Sequence, residues 1–216
     1  MNKVFIDAGT TWTKILKIDN EKKDYSIIKT SSLSKLNYKY NKCTGHSLNK
    51  TKNVYENEVV ALAYGAKKYL ENDFTVLDLG SRDIKFVQYK NKKFSDMDWN
   101  SVCASATGAT VEMLLKFYNV DIDSLKFQKE KYSVTCGIFG LEKIMDDVAG
   151  GIDPSVAISK FIHGIAFNAY NFAKTPSKIC ISGGFCENKC FLESLSQYCE
   201  VEPLGRFVLV DGLSSM

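Results

Sequence analysis

The chain has 216 residues, of which 45% are hydrophobic and 25% charged, so collagen-like, low-complexity and wholly disordered proteins are excluded. Its 28 basic and 25 acidic residues leave a net charge of +3, which is too small and too scattered to indicate nucleic acid or a membrane surface as partner. The sequence contains no apolar run of about 18 residues and no apolar signal core, so we expect a cytoplasmic protein that does not span a membrane.

The first third of the chain predicts an antiparallel meander followed by a helix. Alternating and apolar runs predict strands over residues 3–7, 13–18, 25–29 and 36–43, with a tight turn between the first two. Helical spacing of the apolar residues predicts a helix over 56–70.

The opening pattern then recurs, and this internal repeat is the most informative feature of the sequence. Aligning FIDAGTTWTKILKI with VLDLGSRDIKFVQY places Asp7 on Asp78, Gly9 on Gly80 and Lys14 on Lys85, a spacing of 71 residues (78 minus 7). The later elements are predicted as strands over 74–78, 83–89, 93–97, 178–182 and 200–202, and as helices over 104–118, 141–148, 154–172, 188–198 and 208–215.

The repeated Asp-x-Gly hairpin suits phosphate binding. Glycine lets the backbone approach closely, the turn presents amide donors, and short hydroxyls or a lysine add further donors. Two such hairpins can clamp a nucleoside triphosphate, with their aspartates holding Mg²⁺ or orienting a water. A single hairpin of this kind is an ordinary β-turn in most proteins, so the duplication carries the interpretation.

The duplicated hairpin resembles the actin, sugar-kinase and heat-shock-chaperone ATPase superfamily. That resemblance implies an α/β fold of two RNase H-like lobes with a nucleotide cleft between them. Lobe I is expected over 1–72 with 203–216 returning to it, and lobe II over 73–202. The implied ligands of ATP or ADP are Gly9, Thr10, Thr11, Thr13, Lys14, Gly80, Ser81, Lys85, Thr107, Gly108, Gly183, Gly184 and Asn188. The catalytic candidates are Asp7, Asp78, Asp83 and Arg82, with Mg²⁺ as the metal.

Two cysteine segments narrow the resemblance to the BadF/BadG/BcrA/BcrD type, the activators of 2-hydroxyacyl-CoA dehydratases and the ATPase subunits of benzoyl-CoA reductases. Cys103 lies in NSVCASATG and Cys136 opens CGIFGLE. The resemblance implies that each cysteine supplies one thiolate and that two subunits share one [4Fe–4S] cluster, as a homodimer or a paralogue heterodimer. It also implies a dehydratase or reductase component as partner and an electron donor of the ferredoxin or flavodoxin type.

The sequence departs from that family in its second phosphate loop. Where the family usually reads Asp-Ile-Gly-Gly-Gln-Asp, this chain has Ser81 and Arg82. Arginine can bind a phosphate but orients water poorly, so slow or absent hydrolysis is expected. Three functions therefore stay open: an ATP-driven electron activator, a small-molecule kinase of the same fold, and a non-catalytic nucleotide-binding partner subunit.

The remaining candidates carry less information. With seven cysteines, an odd number, and no secretion signal, a disulfide framework is not expected, while Cys186 and Cys190 leave a paired metal site open. His46 and His163 are isolated and predicted to be structural. Trp12 is predicted to pack under the first phosphate hairpin or to contact a partner.

Overall fold

The computed structural model describes residues 3–35, 39–48, 54–100, 108–134 and 137–216. The first sheet has the strand order β3-β2-β1-β4. Its strands are β1 (Lys3–Ala8), β2 (Trp12–Asp19), β3 (Lys22–Lys29) and β4 (Lys42–Thr44). The first three form the predicted antiparallel meander, and β4 runs parallel to β1 on its other side.

The second sheet repeats this arrangement with one strand more, in the order β7-β6-β5-β8-β9. Its strands are β5 (Phe74–Leu79), β6 (Ile84–Lys90), β7 (Lys93–Asn100), β8 (Lys178–Gly183) and β9 (Glu200–Gly205). Strands β5, β6 and β7 form an antiparallel meander, and β8 lies parallel to β5. Every residue of β5 is buried, as expected for a central strand that is covered on both faces.

The described residues form six α-helices. They are α1 (Glu58–Tyr69), α2 (Gly108–Phe117), α3 (Gly137–Ala149), α4 (Pro154–Phe172), α5 (Lys189–Leu195) and α6 (Val208–Leu213). The longest helix, α4, begins after the capping side chain of Asp153 and buries Phe161 and Ile162 in the main core. Within the described ranges, none of these helices combines the length and the hydropathy that a membrane crossing requires.

Helices α1 and α6 cross at very short distance because glycines stand at the crossing. A Cβ atom added at Gly65 would lie 1.9 Å from the carbonyl oxygen of Val208, and one at Gly212 would lie 1.8 Å from that of Ala61. Neither position can hold a larger residue unless the helices separate. Helix α6 also contacts β1, β2 and β4, so it packs on the first sheet.

Several element boundaries differ from the prediction. The strand predicted over 36–43 is wrong in its position, since residues 39 and 40 are not in a strand and β4 is limited to the three residues that pair with β1. The helix predicted over 188–198 ends at Leu195, because after the Ser196 amide, which still bonds four residues back, the amides of Gln197 and Tyr198 bond three residues back. The division into lobes at residue 72 stays a prediction.

Candidate nucleotide site

The two predicted phosphate hairpins have the same register. Asp7 pairs with Lys14 across β1 and β2, and Asp78 pairs with Lys85 across β5 and β6. Side chains of directly paired residues lie on the same face of a sheet, so each hairpin brings a carboxylate and an ammonium together. Both aspartates are buried, and all four residues line one cleft between the sheets.

In the first hairpin, the ammonium of Lys14 forms an ion pair with Asp7. The Lys14 Nζ to Asp7 Oδ2 distance is 2.9 Å. Burial works against the charge on this lysine, but the carboxylates of Asp7 and Asp78 outweigh it, so the pKa of Lys14 lies above its ordinary value. The lysine therefore stays positively charged in the cleft at neutral pH.

In the second hairpin, Lys85 is surrounded by three carboxylates. Its Nζ lies 2.6 Å from Glu58 Oε2, 3.3 Å from Asp83 Oδ1 and 3.5 Å from Asp78 Oδ2. Burial alone would lower the pKa of Lys85, yet these carboxylates raise it well above its ordinary value. Asp83 also accepts a hydrogen bond from the Trp99 indole at 2.8 Å.

Glu58 is a cleft residue that sequence reasoning missed. It is the first residue of α1, which begins after the Asn57 cap, and it is only 5% exposed. Burial raises the pKa of Glu58, and the nearby Lys85 opposes that rise. A single acidic residue at the start of a helix is common and stabilises the helix dipole, so no local signal distinguished it.

The cleft brings together most of the residues predicted from the sequence. The lining includes Asp7, Gly9, Thr10, Thr11, Lys14, Asp78, Gly80, Ser81, Arg82, Asp83, Lys85, Gly108, Gly184 and Asn188. Thr13 is fully buried instead, and its hydroxyl pairs with that of Thr30 at 2.9 Å. Gly183 backs onto Leu79 with a positive φ of 84°, and a Cβ there would lie 2.6 Å from the Leu79 carbonyl oxygen. Thr107 lies outside the described residues.

Trp12 and His46 have roles that the sequence did not predict. The Trp12 side chain is not enclosed beneath the hairpin, since it is 37% exposed, and it donates its Nε1 hydrogen to Glu112 Oε1 at 2.9 Å. His46 is not isolated, because its Nε2 lies 2.8 Å from Nη1 of Arg82. His163 is structural as predicted, since it is buried and both of its ring nitrogens are hydrogen bonded.

The other end of the cleft is formed by the segment after β8. A Cβ atom at Gly184 would meet only the Leu79 carbonyl oxygen, at 4.0 Å, so the space beside this residue is open. Asn188 caps α5 with its side-chain oxygen, which accepts from the Phe191 amide at 2.8 Å. Arg206 Nε lies 3.1 Å from Glu187 Oε2 but is not aligned for a hydrogen bond.

The two cysteines predicted to hold a cluster, Cys103 and Cys136, lie outside the described residues. Cys186 and Cys190 belong to the main hydrophobic core, so both thiols are packed among apolar side chains. Burial, followed by a smaller effect of Glu187, raises the pKa of the Cys186 thiol to about 11. Within the described part of the chain, no three His, Cys, Asp or Glu side chains gather as a metal site.

Comparisons with known proteins agree with this geometry. The sequence profile of the BadF/BadG/BcrA/BcrD ATPase family matches residues 30–211. The (R)-2-hydroxyglutaryl-CoA dehydratase activating ATPase of Acidaminococcus fermentans is 20% identical over 197 residues, covering 84% of this chain and 76% of that protein.

Two solved structures resemble the whole chain. The activator of the 2-hydroxyisocaproyl-CoA dehydratase from Clostridium difficile, with bound ADPNP, superposes with a TM-score of 0.82 at 17% identity, over 100% of this chain and 94% of that one. Component A of the Acidaminococcus fermentans (R)-2-hydroxyglutaryl-CoA dehydratase superposes with a TM-score of 0.81 at 19% identity, over 100% and 97%. These likenesses confirm the predicted two-lobed, actin-like α/β fold. Because the profile spans most of the sequence, the chain belongs to the BadF/BadG/BcrA/BcrD ATPase family.

Proposed function

We propose that this protein is the ATP-dependent activator of a 2-hydroxyacyl-CoA dehydratase or of a related CoA-ester reductase. The observation that carries the proposal is the pair of Asp–Lys hairpins in identical register, one from each sheet, lining a single cleft. A relative that matches 84% of this chain is an activating ATPase, and a solved structure that matches all of it is an activator with bound ADPNP.

The charges in the cleft fit a nucleoside triphosphate. Lys14 and Lys85 stay protonated and would neutralise phosphate oxygens, while the glycine-containing turns of both hairpins would donate backbone amides. The open space at Gly184 would take the adenosine end, with Asn188 and Arg206 beside it.

The carboxylates of the cleft fit Mg²⁺ that is bound together with the nucleotide. Magnesium usually takes one or two carboxylates from the protein and its remaining ligands from phosphates and water. Asp7 and Asp78 supply two such carboxylates, and each is compensated by the lysine of its own hairpin. We therefore assign Mg²⁺ to these two residues with ATP, not to the empty protein.

Hydrolysis would need a carboxylate that orients water, and two of them lie in the cleft beside Lys85, Asp83 from the second hairpin and Glu58 from the start of α1. Asp83 is held by Trp99, and Glu58 is buried with a raised pKa, which brings its carboxyl closer to the range of a general base. Arg82 does not add to this group, because a guanidinium has no acceptor atom for a proton from water.

The electron-transfer part of the proposal rests on the sequence resemblance. Cys103 and Cys136 from two subunits would hold one [4Fe–4S] cluster, and that cluster would supply the electron for the dehydratase or reductase component. A ferredoxin- or flavodoxin-type donor, the homodimer or heterodimer, and a cytoplasmic location belong to the same proposal.

The cluster is tested by anaerobic purification followed by an iron count, an absorption spectrum and native mass spectrometry. We expect about four irons per dimer in the wild type and none in the double variant Cys103→Ser, Cys136→Ser. The matched control is Cys180→Ser, which changes a thiol buried in β8 and should keep the iron. Iron-free wild-type protein, or full iron in the double variant, would contradict the cluster assignment.

Nucleotide binding is tested separately by calorimetry with ATP and ADP. Replacing Lys14 by Met removes a cleft ammonium and should weaken ATP binding by at least tenfold, because a charge-assisted contact to phosphate contributes about 1.5–3 kcal/mol. The control is Lys17→Met, on the same strand but outside the lining of the cleft. Equal affinity in the two variants would remove Lys14 from the site.

A second function, a nucleotide-binding partner subunit without turnover, is favoured by one observation. Arg82 stands where the family usually has a water-orienting glutamine, and its guanidinium is held by His46. If ATP binds without phosphate release, the variant Arg82→Gln should restore turnover provided that Glu58 and Asp83 are intact. Turnover in the wild type at an ordinary ATPase rate would exclude this second function.

A further inference from the structure

Two side-chain contacts cross the cleft, and each joins a phosphate hairpin to an element on the opposite side. Arg82, in the turn between β5 and β6, reaches His46, which follows β4 beside the first sheet. Trp12, at the start of β2 in the first sheet, reaches Glu112 on α2. All four residues line the cleft. We call these two contacts, Arg82–His46 and Trp12–Glu112, the clasp.

The direction of both hydrogen bonds is fixed, because one group in each contact can only donate a hydrogen. The guanidinium of Arg82 has no acceptor, so Nε2 of His46 must accept, which requires a neutral imidazole protonated at Nδ1. The indole nitrogen of Trp12 likewise only donates, so the Glu112 carboxylate accepts. Each contact is lost when its acceptor is replaced by an apolar side chain.

The clasp is poorly placed to stabilise the fold. The Arg82 and His46 side chains are exposed, and Trp12 is 37% exposed, so neither contact belongs to a hydrophobic core. A hydrogen bond between such side chains changes an equilibrium by about twofold to tenfold. That is small for folding, but it is enough to set how long a cleft stays closed over a ligand.

We propose that the clasp holds the cleft closed over bound nucleotide and thereby sets the nucleotide's residence time. Both contacts join the two sides that must separate when a ligand leaves, and their partners are 36 and 100 residues apart in the chain. The inference rests on the proposed nucleotide binding and adds residues that the phosphate hairpins alone do not require.

A second feature ties the clasp to the second hairpin. The first two amides of α2, those of Gly108 and Ala109, donate to the carbonyl oxygens of Gly80 and Ser81 at 3.1 and 2.9 Å. Helix α2 is therefore anchored on the second hairpin while its Glu112 holds the first. Breaking the Trp12–Glu112 hydrogen bond releases the first hairpin from α2, while the two amide hydrogen bonds between α2 and the second hairpin remain.

The experiment measures dissociation of a fluorescent ATP analogue from the full chain by stopped flow, with excess unlabelled ATP as competitor. Glu112→Leu and His46→Leu each remove an acceptor and should speed dissociation by about twofold to tenfold, and the double variant by about the product. Glu112→Gln keeps an acceptor oxygen and should stay within about twofold of the wild type. The control Glu142→Leu makes the same replacement on an exposed position of α3.

The outcomes separate the clasp from the proposed function. A wild type that binds no analogue contradicts the proposed function and removes the basis of the clasp. Binding with unchanged dissociation in both leucine variants overturns the clasp alone. A lowered melting temperature without faster dissociation would give these residues a structural role only, and this also overturns the inference.

Discussion

Replacing Lys85 by Met is the most direct test of how the cleft holds its charges. The ammonium of Lys85 lies 2.6–3.5 Å from three carboxylates, those of Glu58, Asp78 and Asp83. At an effective dielectric constant of about 20, each such contact is worth roughly 5–6 kcal/mol of attraction before the cost of desolvation is subtracted. Desolvation cancels most of this attraction, and removing one partner of a buried pair typically costs about 3–5 kcal/mol. We expect Lys85→Met to lower the free energy of unfolding by about that amount near pH 8.

The decrease in the free energy of unfolding caused by Lys85→Met should depend on pH in a defined direction. Burial already raises the pKa of Glu58 in the folded protein, and without Lys85 nothing as close opposes that rise. A carboxyl with a raised pKa binds more protons in the folded than in the unfolded state, so its contribution to stability falls as the pH rises from about 5. The deficit of Lys85→Met relative to the wild type should therefore shrink towards pH 5.5 and widen towards pH 8.

The measurement is urea unfolding followed by circular dichroism at several pH values, with Lys93→Met as the control on the exposed strand β7. The control removes one lysine charge without exposing a buried carboxylate, so its curve should follow the wild type. A deficit below about 1 kcal/mol, or one that is the same at pH 5.5 and pH 8, would refute the reasoning.

Two further predictions concern packing and thiol chemistry. Alanine favours helices, yet Gly65→Ala should destabilise the protein by about 1–3 kcal/mol, because its Cβ would lie 1.9 Å from the Val208 carbonyl oxygen. Urea unfolding measures the change. A variant as stable as the wild type, or more stable, would contradict the close crossing of α1 and α6. Burial raises the pKa of the Cys43 and Cys180 thiols to about 11, so roughly one in a thousand of these thiols is a thiolate at pH 8. Labelling of both thiols by iodoacetamide, followed by mass spectrometry, should therefore be slow at pH 8. The labelling should become faster as the pH rises, and it should be fast after unfolding. Rapid labelling of the folded chain at pH 8 would show that these thiols are not buried.

The repeated hairpin could be predicted from the sequence because its signal is local. Aspartate, glycine and lysine recur at the same offsets, and a two-stranded hairpin converts those offsets directly into register. The sequence repeat therefore aligns Asp7 with Asp78 and Lys14 with Lys85, and each aspartate pairs with the lysine of its own hairpin. The resemblance to the ATPase superfamily rests on the same residues, and the narrower family resemblance rests on the segments around Cys103 and Cys136.

The contacts that Glu58 and His46 make in the cleft could not be predicted in this way. Glu58 approaches Lys85, His46 approaches Arg82, and these pairs have no common periodicity that would reveal them. They form because two sheets and a helix meet, which is a property of the whole fold and not of any window of sequence. The strand predicted over 36–43 differs from β4 for a related reason, since the strand is limited to the three residues that pair with β1.

The packing of α6 has a consequence for the order in which the protein can fold during synthesis. Residues 208–213 are all buried, and Gly212 rests directly on Ala61 of a helix made about 150 residues earlier. The second sheet is complete at Gly205, whereas one core of the first sheet includes Val210 and Leu213. On a ribosome, the face of the first sheet that carries Phe5 and Leu16 therefore lacks its cover by α6 until residues 208–213 have emerged. Stop codons shortly before α6 should consequently yield a chain whose second sheet forms while its first attracts chaperones and proteases.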